Sequence, residues 1–169
     1  MLRIRRIPIY WGHEVFMGKR HIDTVVIHTM YAPDVAGDAR YAATQLIARL
    51  KTFNVAAHYL IVRNGEVLQL VNDNDVAYHA GKSALPEDPA GGSVNLRSLG
   101  IEIANAKDDR PTDSQYASAS ALVRSKRAQG MLIPYIKGHD TIALPPGRKD
   151  DPWNFDWQRF FVALGDTGL

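Results

Sequence analysis

Ser98-Leu99-Gly100-Ile101-Glu102-Ile103-Ala104 is the stretch on which the reading of this chain turns. Alternation along an extended strand sends Leu99, Ile101 and Ile103 to one side and Gly100, Glu102 and Ala104 to the other. A carboxylate between two isoleucines, with only small residues beside it on its own face, is not solvated decoration. Those small neighbours leave room on that face for something else. A buried carboxyl has a raised pKa unless a cation or hydrogen-bond donors offset the burial, and this is how a general base working near neutrality is made.

Outward from this strand, Asp23-Thr24-Val25-Val26-Ile27-His28 is a second buried strand, short, β-branched and apolar. It puts Thr24, Val26 and His28 on one face. A histidine ending such a strand must find partners: it is either a core residue bonded to backbone or a ligand. Residues 58–63 and 66–71 flank Asn64-Gly65, which predicts a β-hairpin closed by a type I′ turn. Ala43, Ile47, Leu50 and Phe53 recur at helical spacing after Gly37-Asp38. Thr112-Asp113-Ser114-Gln115 reads as a capping box that opens a helix ending near Gly130. A strand over 132–137 leads into Gly138-His139-Asp140, and a last helix carries Trp157, Phe160, Phe161 and Leu164 before Gly165. Residues 81–97 and 144–152 are rich in Pro and Gly and read as loops. The expected fold is α/β: a single domain over residues 1–169 with a central mixed β-sheet flanked by helices.

The composition is globular, with 46% hydrophobic and 22% charged residues among 169, and the net charge of +2 is too small to mark a nucleic-acid binder. The absence of cysteine excludes disulfides and thiolate zinc sites, so any metal must be held by His, Asp or Glu. The start, Met1-Leu2-Arg3-Ile4-Arg5-Arg6, has the charge of a signal peptide but lacks its apolar stretch, and no run approaches the roughly 20 apolar residues that span a bilayer. No membrane insertion is expected.

Of the six histidines, His13 opens a His-Glu pair that fails as a helical zinc motif because Met17 stands where the second histidine is needed. His13 and His21 read as surface or packing residues. Gly138-His139-Asp140 followed by Arg148-Lys149-Asp150-Asp151-Pro152 brings a histidine at a strand end together with a returning loop. Alone, that His-to-Asp spacing is a weak pattern. No Gly-x-Ser-x-Gly elbow, phosphate-binding loop or cysteine nucleophile competes with it, which points to a metal-assisted hydrolase without naming a substrate.

Several segments together resemble the type 2 N-acetylmuramoyl-L-alanine amidases, the superfamily that includes peptidoglycan-recognition proteins. They are Val25-Val26-Ile27-His28-Thr29, Ala56-Ala57-His58-Tyr59-Leu60-Ile61, and Ala77-Tyr78-His79-Ala80-Gly81. Asn95-Leu96-Arg97-Ser98 through Ile103, Gly138-His139-Asp140 and Arg148 through Pro152 follow in the family's order, so that the likeness covers roughly residues 23–164, the expected core.

The resemblance implies one zinc ion per chain, held by His28, His139 and Asp151, with the fourth tetrahedral position open to water whose pKa falls to about 7. It further implies Glu102 as general base and Lys149 as the cation that stabilises the oxyanion. His58, Tyr78, His79, Asn95 and Arg97 match positions expected to meet substrate. Trp153 stands where glycine is usual and would add an aromatic wall, whereas Ala57 replaces a catalytic tyrosine of certain phage members. Adjacent Asp150 and Asp151 leave two candidates for the last ligand, and the Lys-x-Asp-Pro spacing favours Asp151.

The implied activity is cleavage of the amide between N-acetylmuramic acid and L-alanine of the stem peptide. The alternatives are a non-catalytic peptidoglycan-binding module and a zinc peptidase cutting elsewhere in the stem. The expected partner is peptidoglycan or a soluble muropeptide, with no nucleic acid, and the expected state is a monomer. Synthesis in the cytoplasm without a signal peptide would suit either a phage endolysin that reaches the wall or a cytoplasmic recycling enzyme.

Overall fold

The computed structural model describes residues 2–166. Its first strands are β1 (Ile4–Arg6), β2 (His13–Glu14) and β3 (Thr24–Met30). A short 3₁₀ turn (Gly37–Tyr41) leads into α1 (Ala43–Thr52), and then come β4 (Tyr59–Ile61), β5 (Val67–Gln69) and β6 (Val76–Ala77). The second half holds α2 (Val94–Arg97), β7 (Ser98–Ala104), α3 (Asp113–Ala128), β8 (Tyr135–Gly138), α4 (His139–Ile142) and α5 (Trp157–Leu164).

Six strands form one sheet in the order β1-β5-β4-β7-β3-β8. Only the β4–β5 pairing is antiparallel, so the sheet is mixed, as expected. The alternation read from β3 and β7 is the one the fold uses. Val25, Ile27, Leu99, Ile101 and Ile103 enter one core with Leu122 of α3 and Phe160 of α5. The opposite face is covered by α1, whose Leu46 and Leu50 pack on Leu60 and Leu68, and by a smaller cluster of Val26, Ala80, Leu85, Val94 and Ile142. His28 and Glu102 lie on this second face as direct cross-strand neighbours.

Local signals placed the three long helices, whereas α2 lies within the stretch 81–97 read as a loop and α4 was not foreseen. Thr112 and Gln115 form the reciprocal capping box of α3, and Gly165 closes α5 in the left-handed conformation. Three local readings are corrected, and one unassigned segment gains a strand. The hairpin turn is not type I′, because Gly65 alone has positive φ (84°). The Gly65 N–H donates to the Val62 carbonyl at 2.8 Å, which makes a three-residue loop with the glycine as its bulge. Strand β8 starts at Tyr135 rather than Leu132: Pro134 has no N–H to give the sheet, and Leu132 is exposed. The arginine-rich start becomes β1, an edge strand parallel to β5 with Arg5 paired to Glu66 at 2.6 Å. Phe53 follows α1 and is exposed rather than part of its buried stripe.

Candidate metal centre and its cleft

Parallel strands end on the same side of a sheet, and that is where α/β folds place their ligands. Here β3 delivers His28, β7 delivers Glu102, and β8 ends one residue before His139. Asp151 arrives on the loop that follows α4, fixed by its carbonyl accepting from the Asp140 N–H at 2.8 Å. His28, His139 and Asp151 are all buried, and each offers a ligand atom within 4.8 Å of the others.

Three atoms able to bind a metal converge at the centre of this group. His28 Nδ1 lies 3.1 Å from His139 Nδ1 and 3.2 Å from Asp151 Oδ2, and His139 Nδ1 lies 3.3 Å from the same oxygen. Each ring's other nitrogen is occupied elsewhere: His28 Nε2 is 3.0 Å from His79 Nδ1, and His139 Nε2 is 3.2 Å from the Ala80 carbonyl oxygen. Tetrahedral zinc, with bonds of about 2.0–2.2 Å, separates its ligand atoms by about 3.3 Å. Spacing, donor types and burial all fit that ion.

The electrostatics agree. Burial pushes the His28 imidazolium pKa below the ordinary histidine value, against the pull of the Asp151 hydrogen bond. Burial opposes the charge of Asp151, yet its hydrogen bonds to His139 and His28 outweigh this and hold it well below the usual carboxylate range. Glu102 Oε2 is shut off from solvent and has no hydrogen-bond partner among the described residues. Burial first, then the charge of Asp151, pushes Glu102 up to about 8, while Lys149 pulls the other way. A carboxyl poised there can both take and return a proton near neutrality.

The group opens into a cleft of about 570 Å³. Lys149 is on its wall beside Glu102, and Trp153 packs edge-to-face on Tyr31 at 5.8 Å to give the expected aromatic wall. Tyr78 stands at the rim, its hydroxyl donating to Glu14 at 3.2 Å. Arg49 stacks over Phe53 at 5.0 Å at another edge of the cleft. The neighbouring aspartates differ in burial and in partners. Asp150 is exposed and committed to Lys107 and to the Trp153 indole N–H, whereas Asp151 faces the histidines.

Of the residues matched to substrate contacts, Tyr78 and His79 line the cleft and the others do not. His58 is fully buried. Its Nδ1 accepts from the Gly100 N–H at 3.0 Å, and its Nε2 lies 3.0 Å from both the Asp75 carbonyl and Arg20 Nη2, so buried neighbours occupy both ring nitrogens. Asn95 accepts the His79 and Ala80 N–H groups at 3.2 and 2.8 Å. Arg97 is spent on Asp23 and on Asp88 at 2.5 Å, with no donor turned toward the cleft. Sequence reasoning missed Ser98 and the Ala80 carbonyl, which both contact the histidine cluster. A backbone acceptor leaves no mark in the sequence. Arg148 also went unassigned, although it stands beside Lys149, and its guanidinium ties the loop to the Ala80 and Lys82 carbonyls.

Comparison with known proteins agrees with this geometry. The chain is 38% identical over 120 residues to the 1,6-anhydro-N-acetylmuramyl-L-alanine amidase AmpD of Haemophilus influenzae, a match covering 69% of this chain and 62% of that relative's length. The crystal structure of a selenomethionine derivative of AmpD superposes with a TM-score of 0.74 at 28% identity, over 97% of this chain and 96% of the other. The Escherichia coli amidase AmiD, solved with anhydro-N-acetylmuramic acid-L-Ala-D-γ-Glu-L-Lys, superposes with a TM-score of 0.67 at 27% identity, over 86% of this chain and 58% of the other. A profile described as N-acetylmuramoyl-L-alanine amidase matches residues 18–154, most of the chain, and with the His-His-Asp centre in the same fold the chain belongs to that amidase family.

Proposed function

We propose that this chain, acting as one amidase domain over residues 1–169 and as a monomer, hydrolyses the amide between N-acetylmuramic acid and L-alanine. We further propose that its preferred substrate is a soluble 1,6-anhydro-muropeptide. The observation that carries the chemistry is the pair of imidazole nitrogens converging with Asp151 at the floor of an open cleft, beside a carboxyl with an unpartnered oxygen. The preference for the anhydro form is supported by the relative from Haemophilus influenzae, which is named for that substrate, and by AmiD, solved with it.

His28 Nδ1, His139 Nδ1 and Asp151 would hold one zinc ion, which supplies Lewis acidity that polarises a carbonyl and acidifies water at neutral pH. Glu102 takes the proton from the attacking water and returns it to the leaving amine as the C–N bond breaks and the new C–O bond is completed. Lys149 faces the charge that develops on the carbonyl oxygen. Trp153, Tyr31 and Tyr78 provide flat apolar surface for sugar or peptide, and the rest of the cleft leaves room for the stem.

The experiment is a mass-spectrometric comparison of two substrates, intact sacculi and a synthetic anhydro-muropeptide, with zinc content measured on the same protein. Release of the stem peptide from the soluble substrate, abolished by a chelator and restored by zinc, is the expected outcome. Faster release from sacculi overturns the substrate assignment, and undiminished cleavage after metal removal overturns the zinc assignment.

A further inference from the structure

We infer that the dipeptide His79-Ala80, clamped by Asn95, dictates the tautomer of both histidines of the centre, which makes His79 and Asn95 positioning residues for the metal rather than contacts for the substrate. This rests on the zinc reading above but is carried by a separate observation, a directed chain of hydrogen bonds.

The chain is read from its fixed end. A carbonyl oxygen only accepts, so the Ser98 hydroxyl, 2.6 Å from the Val94 carbonyl, donates its single proton there. The hydroxyl can then only accept from His79 Nε2 at 3.0 Å, which places the His79 proton on Nε2. Among the described residues no carboxylate touches the His79 ring, and a neutral imidazole carries one N–H, so its Nδ1 is a bare acceptor. That acceptor takes the proton of His28 Nε2 at 3.0 Å, leaving the His28 Nδ1 lone pair aimed at His139 and Asp151. The second ligand is set by the adjacent residue. His139 Nε2 lies 3.2 Å from the Ala80 carbonyl, which can only accept, so the neutral His139 ring likewise presents Nδ1.

Two lone pairs 3.1 Å apart repel, and a shared cation turns that repulsion into coordination. The protein thus holds both imidazoles in the form that binds a metal. What holds the dipeptide is Asn95: its side-chain oxygen accepts the N–H of both His79 and Ala80, so one amide group fixes both tautomer-setting residues. Gly100 completes the arrangement from below, since a Cβ there would fall 2.5 Å from His79 Cγ. The room beside Glu102 on β7 is filled by this ring.

The proposal is tested on the metal-free protein first. Nitrogen-15 NMR of the histidine side chains should show His79 and His28 both protonated at Nε2, and an Nδ1–H form of either ring overturns the inference. Zinc affinity, measured by chelator competition, should fall 10- to 100-fold in His79→Leu, which removes the acceptor for His28. The variant His79→Asn, whose side-chain oxygen can stand near the place of Nδ1, should recover most of that loss. Asn95→Ala should weaken zinc about tenfold with KM for the muropeptide unchanged once zinc is saturating. Unchanged zinc affinity in His79→Leu, or a raised KM at full zinc loading in Asn95→Ala, overturns it. Should the unaltered protein bind no zinc, the metal reading fails, while the NMR result still decides the tautomers.

Discussion

Two buried polar clusters in this molecule use similar residues to opposite ends. One is the group of His28, His139, Asp151 and Glu102; the other gathers Arg20, His58, Tyr59, Asp73 and Lys126. In the second, Asp73 accepts from Tyr59 at 2.5 Å and from Lys126 at 2.7 Å, and its carbonyl takes the Arg20 guanidinium at 2.6 Å. Most donors meet acceptors there: among the described residues Arg20 Nε is left over, and Arg20 Nη2 lies 3.0 Å from the His58 Nε2 that also reaches the Asp75 carbonyl. In the first, on the tautomers inferred above, acceptors face acceptors, and Glu102 Oε2 has no partner among the described residues. Buried polar groups are normally satisfied. A cluster that largely balances is part of the scaffold, whereas one with a surplus of lone pairs is suited to a cation.

The largest expected contrast is between His139→Ala and Asp73→Ala. The first should abolish both zinc binding and turnover, measured by metal analysis and by stem-peptide release, while leaving the fold. The second should keep zinc and turnover at low temperature but cost roughly 3 kcal/mol in urea unfolding, because Lys126 and Tyr59 lose their buried partner. A loss of zinc in Asp73→Ala would erase the distinction.

Next comes Glu102→Gln, which should keep the metal and lower kcat by about 10²- to 10⁴-fold. Loss of zinc instead would make Glu102 a ligand.

The clusters should also respond to pH in opposite directions. In metal-free protein Glu102 holds its proton up to about 8, whereas an unfolded glutamate releases it near 4.5. Its contribution to stability is therefore full below pH 4.5 and is lost as pH rises toward 8, a decline of a few kcal/mol at most that Glu102→Gln should flatten. His58 is pushed down to about 3 by burial and by the neighbouring Arg20 charge. Its contribution is full above pH 6.5 and is lost as pH falls through 3, because only the unfolded ring takes the proton in that window. Unfolding curves from pH 3 to 9 check both signs. The smallest effect is expected from Trp153→Ala, which should raise KM a few-fold through loss of the aromatic wall and leave zinc untouched.

How far the sequence discloses these clusters depends on how local each signal is. Strands β3 and β7 are legible because their alternation spans seven residues each, and α3 because its capping box is written in four consecutive residues. Strands β1, β2 and β6 are two or three residues long, too short for a period, and exist through partners elsewhere in the chain. His28 and Glu102 stand out as polar residues in apolar strands, but nothing in their spacing says that they are cross-strand neighbours. The family resemblance, rather than periodicity, brought His139 and Asp151 to them. Asn95 and Arg97 lie two residues apart in the same motif, and their partners are His79, Ala80, Asp23 and Asp88, which the folded chain alone assembles.

The proposed ligands also come from residues 28, 139 and 151, a span that covers most of the chain. A ribosome must therefore have produced all of the sheet, and both halves of the second-face cover, before the third ligand exists. Zinc cannot template this fold in the way it templates a small finger domain. It arrives late, so a chain truncated before Asp151 should have every strand of the sheet but neither the metal nor the Phe155, Phe160 and Leu164 side chains that complete one core, and newly made protein should pass through a folded, empty form whose loading depends on how much free zinc its surroundings offer.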